Sequence, residues 1–273
     1  VYSISVSGDL PIIDEAKLSK FGVTVDMSTN PVFTFGDKKQ ENPVVIVGAG
    51  PAGMLSALVL AEHGFKVKLI ERGGSISERK QQVEVFNKNR ILDENTNIQF
   101  GAGGAGTFSD GKLLTRINDP KINYVLKRFC DFGAPEDILT AAKPHIGTDL
   151  LLGTVDNMLK EIERLGGTVM YRTRLDGISE NADGGALAHT TRGDIPCSAI
   201  VLATGHSSRD TYKMLLDSGY MIEAKSFSVG VRIEHLREDI DRALYGDMAG
   251  HEKLGKGEYH LSDTSSGRGV YTF

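Results

Sequence analysis

The chain has 273 residues, 40% of them hydrophobic and 25% charged, with a net charge of -5 at pH 7. That is ordinary globular composition, and the length suits one large domain or two smaller ones. The acidic balance gives no electrostatic case for a nucleic-acid or anionic-membrane partner, and no apolar run is long enough to span a bilayer. The two cysteines, Cys130 and Cys197, form no C-x-x-C pair. Neither a dithiol redox centre nor a cysteine zinc site is indicated, and no metal site is expected. The chain starts with Val1 and shows no signal-peptide pattern. With both thiols expected to be reduced and buried, the expectation is a cytoplasmic protein.

Taken in order, Tyr2 to Val6 alternate as a strand does, Ile12 to Phe21 suit a short helix, and GDKKQEN (36–42) is a polar linker. Residues 1–42 are expected to be the tail of a small preceding domain. Val44 to Val47 then form a continuous apolar, β-branched run, the signature of a fully buried parallel strand. Gly48, Gly50 and Gly53 follow in G-x-G-x-x-G spacing. The first allows a tight turn, the second lets backbone approach a pyrophosphate, and the third lets a helix lie close on the strand. The helix they open would offer free N–H groups and its positive dipole end to phosphates. Gly64 stands where a left-handed C-cap is expected, and Lys66 to Ile70 read as a second strand. Glu71 closes that strand about 20 residues after the glycines, where a carboxylate can accept from a ribose hydroxyl and would repel a 2′-phosphate.

Beyond Glu71 the simple pattern breaks. Ser77 to Asn89 is helical in composition. NIQFGAGGAGTFSDGKLLTR (97–116) places Gly101, Gly103, Gly104 and Gly106 within six positions, with Thr107, Ser109, Asp110 and Lys112 after them. Bare backbone N–H groups beside hydroxyl and ammonium groups suit the wall of a large cofactor, and Phe100 and Phe108 argue that the loop is packed. A helix is predicted from Pro120 to Phe132, and a longer one from about Leu150 to Leu165, capped by Thr148 or Asp149. Strands follow at Thr168–Arg172, Thr173–Ser179, Ala186–Thr191 and Ile195–Ala203. The last ends in Ala203-Thr204-Gly205, small residues at the strand end where open α/β sheets bind ligands. Asp210 to Ser218 reads as a helix, and FSVGVRIE (227–234) as a strand with Arg232 and Glu234 on one face.

The segments ERGGSISER, QFGAGGAGTFSDGKLLTR, KPHIGTD, ATGHSSRDTY, FSVGVRIEH and GRGVYTF together resemble the bacterial uncharacterised FAD-dependent dehydrogenase family, also labelled NAD(FAD)-utilising dehydrogenases. The resemblance implies an α/β fold: a Rossmann-like FAD/NAD(P)-binding domain with a parallel sheet and a β-meander over 43–210, with an insertion at 73–147, and part of a mixed α+β substrate domain over 211–273. It implies FAD as cofactor and NADH or NADPH as a candidate electron donor. By position, Gly48, Gly50, Pro51, Ala52 and Gly53 would hold the pyrophosphate. Glu71 would bind the adenosine ribose with Arg72 beside it, and Leu175 would meet adenine. Ala203, Thr204 and Gly205 would line the nucleotide from the far side, and Gly103, Gly104, Ala105 and Gly106 would approach the pyrophosphate and flavin. The family usually has Glu where this chain has Ala102, and its members run beyond GRGVYTF, so the chain reads as a fragment.

The expected function is hydride transfer through bound FAD to or from a small molecule of unknown identity. The alternatives are a non-redox flavoprotein, a nucleotide-binding scaffold, and NAD as the resident nucleotide. Lys112, His145, His206 and Arg232 are the candidates for substrate contact or proton transfer, each open to a purely structural role. The sequence does not reveal an oligomeric state.

Overall fold

The computed structural model describes residues 17, 20, 31–34, 36, 40–109, 111–113, 115, 117, 119, 121–141, 144–181, 184–267 and 269–272. The expected strand at Tyr2–Val6, and all but two residues of the expected helix at Ile12–Phe21, lie outside them. Two compact units are present, one ending at Met221 and one spanning Ile222–Phe273.

In the first unit, β1 (Val44–Val47), β2 (Val67–Ile70), β3 (Thr168–Met170) and β7 (Ala199–Leu202) form a parallel sheet in the order β3-β2-β1-β7. Side chains alternate across β1. Val44 and Ile46 pack with Met54, Ala57, Leu58 and Ala61 of α1 (Pro51–Glu62) and with Val155, Met158, Leu159 and Ile162 of α4 (Thr148–Arg164). Val45 and Val47 face the other way, towards Leu175, Ala188, Ile195 and Cys197 of the meander formed by β4 (Leu175–Glu180), β5 (Ala186–Thr190) and β6 (Gly193–Cys197). Each such aliphatic side chain contributes about 1.5–3 kcal/mol on burial, so the sheet is held from both faces. Between β2 and β3 the chain runs through α2 (Ile76–Asn89), a short 3₁₀ turn at Ala105–Phe108, α3 (Lys121–Asp131), a second 3₁₀ turn at Glu136–Leu139 and α4.

Gly48 and Gly64 take the backbone conformations that the spacing predicts. Gly64 has φ +79° beyond the end of α1, and Gly48 has φ +102° in the turn out of β1. α2 starts on a capping box, with the Ser75 hydroxyl accepting from the Glu78 N–H while the Glu78 carboxylate accepts from the Ser75 N–H.

Four expectations change. α4 starts at Thr148 with Gly147 as its cap residue, and the Thr148 hydroxyl donates to the Ser109 carbonyl instead of capping. The single strand expected at Ile195–Ala203 is two strands in different sheets. Ser198 divides them, its N–H donating to the Pro43 carbonyl and its hydroxyl to the Asn42 carbonyl. α5 (Arg209–Asp217), expected to open the second domain from residue 211, lies in the first unit, with Met214 packed against the meander cluster. The segment 227–234 is extended but pairs in no ladder among the described residues; its Ser228 hydroxyl meets the Tyr271 hydroxyl. In the second unit α6 spans Arg237–Tyr245, and β8 (Ser262–Asp263) pairs antiparallel with β9 (Val270–Tyr271).

Candidate functional site

The C-terminal ends of β1 and β7 open on a cavity of about 270 Å³. Because β1 lies between β2 and β7, this is the crevice in which open α/β sheets take ligands. Gly48, Gly50, Pro51 and Ala52 form one side, Glu71 and Arg72 the end of β2, Gly104 and Ala105 the glycine-rich loop, Leu175 the meander, and Ala203, Thr204, Gly205 and His206 the far side.

The three motif glycines have distinct jobs. A Cβ on Gly48 would lie 2.5 Å from the Ala203 carbonyl oxygen, and one on Gly53 would lie 1.8 Å from the Gly48 oxygen. Both are needed so that strand, turn and helix can touch. Gly50 is different. Its φ of -78° suits any residue, and the closest atom to an added Cβ is the Gly104 Cα at 3.8 Å. The protein itself does not demand glycine there, yet the residue borders the cavity. The place is a cradle that a side chain would fill. As the N-cap of α1 it makes no side-chain bond to the N–H groups of the first turn.

The glycine-rich loop packs directly on this turn. The Gly103 N–H donates to the Ala49 carbonyl at 2.8 Å, so Gly103 lies behind the wall. Gly106 is exposed and does not line the cavity, and neither does Gly53. Ala102 is fully buried in the apolar core, so the position where the resembled family has Glu faces away from the cavity.

Glu71 is 5% exposed, and its carboxylate accepts three backbone N–H bonds: from Ala49 (2.8 Å), Gly73 (2.8 Å) and Gly101 (3.1 Å). It therefore ties three loops together as well as lining the cavity. Arg72 donates from Nη1 to Asp210 Oδ1 at 3.0 Å in a two-pronged pair, and its guanidinium lies over the Phe100 ring at 4.8 Å. That neighbour holds the Asp210 carboxyl below its ordinary range. Arg174, also in the wall, is bonded to Asp176 at 2.7 Å.

Of the four candidates for substrate or proton chemistry, His206 lines the cavity. Lys112 and His145 are paired across an isolated antiparallel bridge and lie outside its lining. Arg232 is in the second unit, 3.9 Å from Glu234. Thr173 and Arg174 were not singled out from sequence, and Phe100, Ser208 and Thr211 appeared there only within longer segments or as packing, with no role at the cavity. Asp210 as the partner of Arg72 depends on a separation of 138 positions. Ser179, His189 and Asp194 form a hydrogen-bonded relay (2.8 and 2.9 Å) across the meander, and none of them lines the cavity. No group of three or more His, Cys, Asp or Glu able to hold a metal occurs among the described residues. No helix among them is long and apolar enough to cross a membrane.

The family model of pyridine nucleotide-disulphide oxidoreductases matches residues 42–218. The chain belongs to that family. A second model, described as the C-terminal domain-like part of FAD-dependent proteins, matches residues 226–273. The chain is 47% identical over 232 residues to an uncharacterised protein of Clostridium beijerinckii, covering 84% of this chain and 43% of that protein. It is 43% identical over 77 residues to a thiamine thiazole synthase of Sulfolobus acidocaldarius, 27% of each chain. The chain thus spans less than half the length of these relatives. A solved glycine oxidase from Bacillus cereus is also similar, at 16% identity and a TM-score of 0.43, over 65% of this chain and 58% of that one.

Both cysteines lie outside the cavity lining. Cys130 is on α3 and Cys197 on β6, and burial pushes both thiols up, away from the reactive thiolate.

Proposed function

We propose that this chain forms the FAD-binding part of an oxidoreductase that exchanges a hydride with a small-molecule substrate directly at the flavin, without a dithiol relay. The observation that carries the reading is the cradle beside Gly50, where an ordinary φ and open space coincide with a glycine facing the uncapped end of α1. A residue free of protein constraint on that spot is explained by a ligand that approaches the backbone closely, as a pyrophosphate does. The cavity, near the lower end of the usual range of about 300–1,000 Å³, suits the adenosine diphosphate half of the dinucleotide.

The first turn of α1 and Gly104 would receive the pyrophosphate. Glu71 retains acceptor capacity for a ribose hydroxyl beside its three backbone donors, and its negative charge disfavours a 2′-phosphate. Leu175 offers an apolar face to adenine. When bound, FAD supplies two-electron hydride chemistry, and the protein contributes orientation and electrostatics. His206 is the imidazole on this wall and the candidate there for proton transfer.

The test is equilibrium dialysis against FAD, visible spectroscopy of the retained flavin, and then anaerobic addition of NADH or NADPH. Retained flavin that a nicotinamide bleaches supports the reading. Retained flavin that no nicotinamide reduces removes NAD(P)H as donor. Failure to retain either FAD or ADP overturns the site.

A further inference from the structure

Arg79 has no place in the account so far, although among the described residues it is the largest side chain buried below 2% exposure. It lies on α2, one residue after the capping box, with 0% of its surface exposed. Its Nε donates to the Asn97 carbonyl at 2.8 Å, Nη2 to Ile98 at 2.7 Å and Nη1 to Ala102 at 2.8 Å, with a longer approach to Gly101 at 3.5 Å. The Phe108 ring lies 4.7 Å from its guanidinium carbon. Each of these hydrogen-bond acceptors is a backbone carbonyl. Burial brings its pKa down to about 10, partly offset by Glu71, so the group remains charged at neutral pH.

We propose that Arg79 is a positioning residue of the dinucleotide site: its guanidinium grips the 97–102 segment from below and presses it against Glu71, and so sets the wall on which the cofactor packs. The inference rests on the FAD reading above. The Gly101 residue shows the linkage. Its N–H donates to the Glu71 carboxylate while its carbonyl faces the Arg79 guanidinium. A short piece of backbone is thus stretched between a buried anion and a buried cation. Only glycine can stand there, since φ is +122° and a Cβ would lie 2.6 Å from the Arg79 Cδ. The same segment supplies Gln99, Phe100 and Gly101 to the cavity, and Phe100 is the ring beneath Arg72.

Removing a single buried charge is costly because it leaves the groups that paired with it unsatisfied, so a loss of stability does not by itself reveal a role at the site. What an apolar replacement cannot do is collect several carbonyls at once. Arg79 turns those oxygens away from the place where an anionic pyrophosphate must come, and leaves the Gly101 and Gly103 N–H groups fixed on Glu71 and Ala49.

The experiment compares wild type, Arg79→Lys, Arg79→Met, Glu71→Gln and the Glu71→Gln/Arg79→Met pair. For each, the melting temperature without ligand and the Kd for FAD are measured. Arg79→Lys keeps the charge and the alkyl stem but not the planar fork. It is expected to melt within a few degrees of wild type while binding FAD at least about tenfold more weakly. The double variant is expected to lose less than the product of the two single fold-losses, because both act through the Gly101 peptide. If affinity merely tracks melting temperature, or Arg79→Lys binds within about twofold of wild type, the role is overturned while the FAD site stands. Should Arg79→Met fail to fold, Arg79→Lys still decides. Wild type that binds no FAD overturns the functional reading and this proposal together.

Discussion

Replacing Gly50 and Gly53 in turn by alanine separates a glycine kept for the ligand from one kept for the fold. At Gly53 the new methyl would lie 1.8 Å from the Gly48 oxygen, a backbone atom that cannot swing aside. Either α1 or the turn must shift by more than 1 Å, and overpacking of that kind costs about 3 kcal/mol or more. For a unit of this size the melting temperature should fall by about 6–12 °C, or the chain should not fold at all. At Gly50 the methyl meets nothing closer than 3.8 Å, and φ is -78°. The cost to the free protein is that of alanine in place of glycine at an N-cap, about 1 kcal/mol at most. The same methyl occupies the cradle, so FAD affinity should fall by at least tenfold, about 1.4 kcal/mol. Thermal melting without ligand and flavin fluorescence titration measure the two effects. Gly50→Ala binding FAD as tightly as wild type would refute the placement of the pyrophosphate. Gly53→Ala with an unchanged melting temperature would refute the packing argument.

Three further outcomes are expected. Glu71→Ala leaves three buried N–H groups without their acceptor, at about 1–3 kcal/mol each; after local relaxation the loss should be about 3–5 kcal/mol in urea unfolding of the ligand-free protein, and a loss below about 1 kcal/mol would show that the loops are held elsewhere. Arg72 holds the Asp210 carboxyl below its ordinary value of 3.8. With the folded pKa below the unfolded one, the pair's contribution is fully present above about pH 4 and is lost as pH falls through the folded value. The urea midpoints of wild type and Asp210→Asn should therefore differ at pH 7 and converge as the pH falls through the lowered folded pKa of Asp210, and a gap independent of pH would contradict the pairing. Finally, Cys130→Ala combined with Cys197→Ala should leave the rate of flavin reduction by the effective nicotinamide within about twofold, whereas a tenfold loss would point to thiol chemistry.

The strand, turn, helix and acid of the nucleotide motif were legible because each depends on neighbours in the chain. Apolar β-branched residues make Val44–Val47 a buried strand, glycine spacing shapes the turn, and Gly64 ends the helix through its left-handed φ. Glu71 could be placed at the end of β2 by counting, but its three donors come from residues 2, 22 and 30 positions away. The division of 195–203 into two strands was hidden for a similar reason. Both halves are apolar, and only the bonds from Ser198 to Pro43 and Asn42 assign them to different sheets. Lys112 and His145 looked like site residues by type, and the backbone bridge that joins them lies outside the cavity lining.

By itself, then, the sequence determined the dinucleotide-type βαβ unit, the glycine turn that opens its helix and the lack of a C-x-x-C pair, all of which follow from spacing and local backbone preference. Only the tertiary structure decided which glycine faces the cavity and which faces protein, that Asp210 pairs with Arg72, and that the buried Arg79 bonds the carbonyls of the 97–102 segment. Those facts depend on contacts between residues far apart in the chain. Charge and hydrogen-bond balance at a site is settled by which distant groups the fold brings within 3 Å or so, and no local pattern encodes that.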